Sequence, residues 1–138
     1  MSAAPTDLDA ARVELGARCN TIEESYEFML AYAAQGLATE GPQIRHFLGR
    51  CDLALTALVE FSAAFAAASE GAAAPYGAFM AVVDRDARDA RAGVQLVLAQ
   101  SAISSQLVDN LNASIHLRAL LTDLFLLDEV LKAYARQA

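Results

Sequence analysis

The chain has 138 residues, which fits one domain that is large enough to bury a core without disulfides or metals. It contains 31 alanines and 19 leucines, both strong helix formers, so the composition predicts an all-α protein. The net charge of −7 argues against a general attraction to nucleic acid.

The sequence shows no pattern typical of export or of membrane insertion. No apolar stretch behind a basic segment marks a secretory signal at the N-terminus. The apolar stretches at 61–83 and 92–108 are interrupted by polar residues or helix breakers, so neither is suited to crossing a bilayer. We therefore expect a cytoplasmic protein with neither a membrane nor a nucleic-acid partner.

The N-terminal region carries two competing helix signals. Residues 6–9 are suited to capping a short helix that ends at Gly16, so we expect residues 1–19 to form a loosely ordered arm or a short helix. The first strong helix is predicted from Thr21, where Glu24 three residues later completes a capping box. The sequence therefore predicts a single helical-bundle domain over residues 20–138.

Apolar residues recur with a helical period through the rest of the chain. One helix is predicted from Pro42 to about Ser69, and the next begins near Tyr76. No proline follows Pro75, yet one helix from there to the C-terminus would be far longer than globular helices usually are. We therefore expect an up-down bundle of about four helices, whose long C-terminal helix has a possible break near residues 100–112.

The apolar face changes sides within residues 101–134. A straight helix that packs on one core cannot do this, so either the helix breaks or it has a second partner. Leucines and a phenylalanine remain after one buried face is assigned, and exposed apolar patches usually mark interfaces. The sequence predicts that the protein self-associates as a homodimer through this surplus, with an interface formed by Leu53, Leu117, Leu121, Phe125 and Leu126.

A polar face interrupts the same region. Ser105, Asp109, Asn112 and His116 share one side of the predicted helix, and His46 is a further candidate. These side chains are suited to lining a pocket for a small molecule or a metal, with Tyr26 as an additional member. The simpler interpretation is a solvated or interfacial polar face, because neither histidine has a Glu three residues before it, as di-metal bundles require.

We find no catalytic constellation in the sequence. Cys51 lies on an apolar helix face, Cys19 has no general base beside it, and no glycine-rich turn is available to form an oxyanion hole. The first hypothesis is therefore a non-enzymatic, cofactor-free bundle that acts by protein–protein contact, as an adaptor, chaperone-like or assembly protein. The alternative is a small-molecule- or metal-binding bundle, either a sensor or a modest enzyme, with its polar pocket around Asp109, Asn112 and His116.

Overall fold

The computed structural model describes residues 7–137 and confirms the predicted all-α class. The elements follow one another as α1 (Leu8–Ala34), α2 (Ile44–Ala68), a 3-10 turn (Gly71–Ala73), α3 (Ala74–Leu98), α4 (Ser105–Ala113) and α5 (His116–Gln137). The four long helices form the predicted bundle of about four helices, and α4 is an additional short helix. Residues 1–6 of the predicted arm lie outside the described residues.

The long helices pack in a ring in which each contacts its two neighbours. α1 contacts α2 and α5, and α3 also contacts α2 and α5, so α2 and α5 occupy opposite corners. Because successive long helices run up and down, the connections 35–43 and 99–115 meet at one end of the bundle, which we name the upper end. The 3-10 turn, the start of α1 and the end of α5 lie at the lower end.

Helix α1 begins earlier than predicted. Asp7 caps it, because its carboxylate accepts hydrogen bonds from the backbone amides of Asp9 and Ala10 at 3.0 and 3.1 Å. The helix then continues without interruption through Gly16 and Thr21, so both the predicted helix end and the predicted start at Thr21 are wrong. A continuous buried stripe of Ala11, Leu15, Ile22, Ser25, Met29 and Tyr32 explains why core packing outweighs the local cap signal.

Helix α2 contributes most to the core, and α3 packs closely along it. Nine α2 residues are buried, from Ile44 to Phe65. The close approach at the lower end depends on Gly77, because a Cβ atom there would lie 2.3 Å from the Cβ of Ser69. At the upper end, Gly93 of α3 has the same effect, since its Cβ would lie 3.1 Å from Leu111 of α4. Close packing thus accounts for the two glycines of α3, Gly77 and Gly93.

The C-terminal region breaks twice. The first break, at residues 99–104, overlaps the predicted range, and a second separates α4 from α5 at residues 114–115. Ile115 there has a φ of 63°, in the left-handed region that β-branched residues rarely adopt. The two breaks let α4 and α5 bury different faces, which accounts for the change of apolar side that the sequence shows.

Candidate functional site

Exposed apolar side chains concentrate on α5. Nine large apolar side chains among the described residues are at least 40% exposed, and four of them, Phe125, Leu126, Val130 and Tyr134, belong to this one helix. The others are Val13, Leu30, Leu53, Leu96 and Ile115. Leu53 and Leu96 point outward from α2 and α3 as single residues, which is normal for a protein surface, whereas a cluster is not.

Three of these α5 residues form the wall of a groove against α3. Leu126, Val130 and Tyr134 are spaced four residues apart, so they make a continuous ridge along the helix. The opposite wall comes from the first turns of α3, including Tyr76, whose ring meets that of Tyr134 edge to face at a centroid distance of 6.5 Å. We name this surface the α3–α5 groove; it is lined by Ala72, Pro75, Tyr76, Phe79, Leu126, Leu127 and Val130.

Phe125 lies on the other side of α5. It faces α1 and lines a cavity of about 180 Å³ between the two helices, which we name the α1–α5 cavity. Phe125 and Leu126 are adjacent in sequence but point about 100° apart around the helix axis. The predicted interface pair therefore belongs to two separate surfaces of α5.

The other predicted interface residues lie elsewhere. Leu117 and Leu121 are in the core, 2% and 5% exposed, because the buried face of α5 is rotated toward them and away from Val130 and Tyr134. Leu53 is 72% exposed on α2, the helix at the corner opposite α5. The structure thus corrects the grouping of these three residues with Phe125 and Leu126, since no single surface contains all five.

Two of the predicted polar residues anchor α4 on α1. The hydroxyl of Ser105 donates a hydrogen bond to the carbonyl of Tyr32 at 2.7 Å and accepts one from the amide of Leu37 at 2.8 Å. The side-chain amide of Asn112 donates to the carbonyl of Met29 at 3.2 Å. These bonds satisfy backbone groups near the end of α1, so both side chains have a structural role.

The remaining polar candidates are exposed. Asp109 borders a shallow groove with Gly36 and Leu37, and His116 and His46 face solvent at the surface. Within residues 7–137, no three His, Cys, Asp or Glu side chains come close enough together to hold a metal ion. Tyr26, the additional candidate, is half-buried on α1. Of the predicted polar residues, Ser105 and Asp109 line the same shallow groove, whereas Asn112, His116 and His46 do not line it.

Both cysteines are free thiols with raised pKa values. Burial is the main cause at Cys51 and raises its pKa to about 12, with a smaller contribution from the charge of Asp52. Burial also raises the pKa of Cys19 to about 11, assisted by the negative charges of Glu23 and Asp128. Neither thiol is activated as a nucleophile, since a reactive cysteine needs a lowered pKa.

A pair of carboxyl groups joins α3 and α5 between the two ends of the bundle. Burial, followed by the hydrogen bond to Asp86 and the negative charge of Asp86, together raise the pKa of Asp123 to about 7. One oxygen of Asp123 is buried without a hydrogen-bond donor among the described residues. A proton shared by Asp123 and Asp86 would give this oxygen a partner, in the direction that the raised pKa of Asp123 indicates.

Helix α2 is the one described helix that is long and apolar enough to cross a membrane by length and composition, with a mean hydropathy of 1.5 in its most apolar window. The core helix of a bundle meets the same criterion. Nine residues of α2 pack into the core of this protein.

No protein-family model, curated protein or solved structure matches the chain in the three comparisons made.

The sequence predicted part of the two surfaces beside α5, which are the α3–α5 groove and the α1–α5 cavity. The surplus of apolar residues in 117–134 indicates that some of them remain exposed, and Leu126 and Phe125 were identified in this way. The exposure of Tyr76 and Phe79 depends on where α5 crosses α3, which the sequence period does not give. Gly16 was interpreted as a helix end, whereas in the structure it lies inside α1 and lines the α1–α5 cavity.

Proposed function

We propose that this protein acts by protein–protein contact and self-associates through the α3–α5 groove as a two-fold symmetric dimer. The observation that carries the proposal is the ridge of Leu126, Val130 and Tyr134, which is 55%, 40% and 40% exposed and adjoins the half-buried rings of Tyr76 and Phe79. A contiguous apolar surface of this kind is uncommon on a protein that has no partner.

A second copy of the chain is the partner that the ridge fits best. Ridges of residues four apart pack into the equivalent grooves of another helix in the commonest class of helix–helix packing. In a dimer with a two-fold axis, the ridge of each copy packs into the groove of the other copy. One surface of the chain therefore forms both halves of the interface. The aromatic residues of this surface are Tyr76 and Phe79 in the groove and Tyr134 at the end of the ridge, and aromatic residues are enriched at such interfaces.

The proposal keeps the C-terminal helix as the self-association element and changes the residues that form it. Leu126 is retained from the sequence prediction, and Val130, Tyr134, Tyr76 and Phe79 replace the buried leucines. Adaptor, chaperone-like and assembly roles are all compatible with a bundle that presents one apolar groove, and the first step in separating them is the oligomeric state.

The test is the solution mass measured by light scattering over a range of protein concentrations. We expect wild type to approach twice the chain mass of 14.6 kDa. The double substitution Leu126→Asp with Val130→Asp places two carboxylates in the interface and should give a monomer, while far-UV circular dichroism stays helical because both side chains are exposed.

The controls are Leu53→Asp and Leu96→Asp, which change leucines on α2 and α3 that are 72% and 66% exposed, more than Leu126 and Val130. Both variants should remain dimeric. A wild-type monomer at every concentration would overturn the proposal, and so would a dimer that survives the double substitution. Dissociation by Leu53→Asp alone would move the interface to the opposite corner of the bundle.

A further inference from the structure

We propose that the α1–α5 cavity is a binding site for a small organic amine, with an apolar body held between the helices and one ammonium group at the rim. This site differs in position and residues from the predicted polar pocket around Asp109, Asn112 and His116. It is also independent of the α3–α5 groove, because it lies on the other side of α5.

The floor of the cavity is apolar. Leu15 of α1 and Leu124 and Leu131 of α5 are buried there, and the half-exposed ring of Phe125 forms one wall. The volume of about 180 Å³ is comparable with the engineered apolar cavity of roughly 150 Å³ that binds benzene in another protein. The apolar part of a ligand therefore has room for a single aromatic ring or a branched aliphatic chain.

Gly16 keeps this space open. It lies in the interior of α1, where glycine costs about 1 kcal/mol relative to alanine. Unlike Gly77 and Gly93, it serves no close packing, because a Cβ atom built there would meet no other atom within 4 Å. The absence of a side chain at Gly16 thus has one structural effect, which is to leave the cavity wall open.

The charges at the rim favour a cation. Glu23 and Asp128 both line the cavity, and Arg12 is the single basic residue among its lining side chains. Asp128 is already neutralised, since it lies 3.6 Å from Arg12 and 3.0 Å from Lys132. No ion pair with Glu23 occurs among the described residues. Glu23 is therefore the carboxylate available to an incoming ammonium group.

Cys19 and Asn20 complete the wall between the apolar floor and Glu23. The raised pKa of Cys19, to about 11, keeps the thiol neutral near pH 7, so it adds a small apolar surface rather than a competing charge. The contributions of Glu23 and Asp128 to this shift also show that both carboxylates lie near the thiol. A carboxylate ligand would meet the unpaired negative charge of Glu23, which disfavours the anionic counterpart of the proposed amine.

The test uses benzylamine as the probe, with toluene and benzoate as its uncharged and anionic counterparts, titrated into the full-length protein. Binding is followed by isothermal calorimetry and by backbone amide NMR shifts. We expect benzylamine to bind wild type, to move the amide resonances of Gly16 and Cys19, and to bind more tightly than toluene, with no binding of benzoate.

Two variants locate the site. Gly16→Leu fills the cavity from α1 and improves helix propensity, so it should fold normally and lose benzylamine binding by more than about tenfold. Gly49→Leu is the matched control, since Gly49 is also inside a helix with open space at its Cβ position but lies on α2. Glu23→Gln should weaken benzylamine about tenfold and leave toluene unchanged.

Three results would overturn the proposal. The first is the absence of benzylamine binding to wild type at millimolar concentration. The second is unchanged binding to Gly16→Leu, which would place the ligand elsewhere. The third is equal binding of benzylamine, toluene and benzoate, which would remove the role of Glu23. A monomeric protein that binds benzylamine would refute the proposed dimer without affecting this site.

Discussion

The two ends of the bundle are held together by different interactions. At the upper end, side chains reach across to the backbone of other segments, as Tyr32, Ser105 and Asn112 do. At the lower end, Arg12 of α1 and Asp128 of α5 form an ion pair, and apolar side chains make up the core. Hydrogen bonds fix the path of the chain where connections cross, whereas apolar contacts leave surfaces that a partner or ligand can extend.

The upper end is organised around the hydroxyl of Tyr32. This buried group donates a hydrogen bond to the carbonyl of Ile103 at 2.6 Å and accepts one from the amide of Gly41 at 2.8 Å, so it ties both connections to α1. Arg45 adds bonds from α2 to the carbonyls of Leu98 and Gln100, where its charge also suits the C-terminus of α3.

The largest effect is expected from removing this hydroxyl. Tyr32→Phe leaves the carbonyl of Ile103 and the amide of Gly41 without their partner, which should lower the free energy of unfolding by roughly 2–4 kcal/mol. Urea denaturation measures the change. Tyr26→Phe, on a half-buried tyrosine of the same helix, is the control and should stay within about 0.5 kcal/mol of wild type. Equal stability of the two variants would show that the hydroxyl does not hold the upper end.

A smaller effect is expected at the seam between α3 and α5. An aspartate in the unfolded chain ionises near pH 4, whereas the pKa of Asp123 in the folded protein is about 7. Between these values the folded protein keeps a proton that the unfolded chain has lost. This contribution to stability is therefore complete below about pH 4 and is lost as the pH rises through 7.

Asp123→Asn removes this pH dependence, because its amide donates to Asp86 without needing a proton. At pH 8 the variant should be more stable than wild type by roughly 1–2 kcal/mol. This is less than the free energy that corresponds to the whole pKa shift of Asp123, because water partly screens the pair. At pH 4 the two should be equal in thermal unfolding. Asp89→Asn, on an exposed aspartate of α3, should follow the wild-type pH profile, and a flat wild-type profile would contradict the shared proton.

The upper end should respond to pH in the opposite direction. Hydrogen bonds from Arg45 lower the pKa of Glu40 despite its partial desolvation, and the amide of Ile103 also donates to this carboxylate. The stability that this contact contributes is present above the ordinary pKa of a glutamate and is lost as the pH falls. Glu40→Gln should therefore make the protein less sensitive to acid, without changing the transition of the α3–α5 seam near pH 7.

The smallest effect is expected at Ile115, which joins α4 to α5. Its left-handed backbone is unfavourable for a β-branched residue and acceptable for glycine, and its side chain is 59% exposed. Ile115→Gly relieves this strain, and the conformational entropy that glycine adds to the unfolded chain offsets part of the gain. The free energy of unfolding should therefore rise by about 0.5–1 kcal/mol. Ala113→Gly, at a right-handed helical position two residues earlier, should lower it by a similar amount, as chemical denaturation can verify.

The helices with a clean apolar stripe were predictable because their burial follows from the sequence period. α2 and α3 were placed to within a few residues for this reason. The start of α1 was not, because Thr21 and Glu24 form a genuine local cap signal that the longer stripe from Ala11 outweighs. The second break was also missed, since Ile115 is neither glycine nor asparagine, the residues that usually mark a left-handed position.

The candidate site was less predictable than the fold. Which residues of α5 are exposed depends on its rotation against α1 and α3, and a modest rotation exchanges Leu117 and Leu121 for Val130 and Tyr134. The α1–α5 cavity depends on a missing side chain at Gly16, and open space is a property of the packed neighbours rather than of the residue. The number of surplus apolar residues can be counted in a sequence. Which of them are exposed depends on where and at what angle the helices cross.

Because helix α4 covers only one end of the bundle, we expect the two ends to differ in how readily they unfold locally. It covers the upper end of the core, where Ile103 and Val108 are fully buried, and nothing comparable covers the lower end among the described residues. We therefore expect local opening to begin at the last turns of α5 and to proceed toward the upper end. Backbone amides in α4 should be among the last to exchange with deuterium, although α4 is the shortest α-helix described.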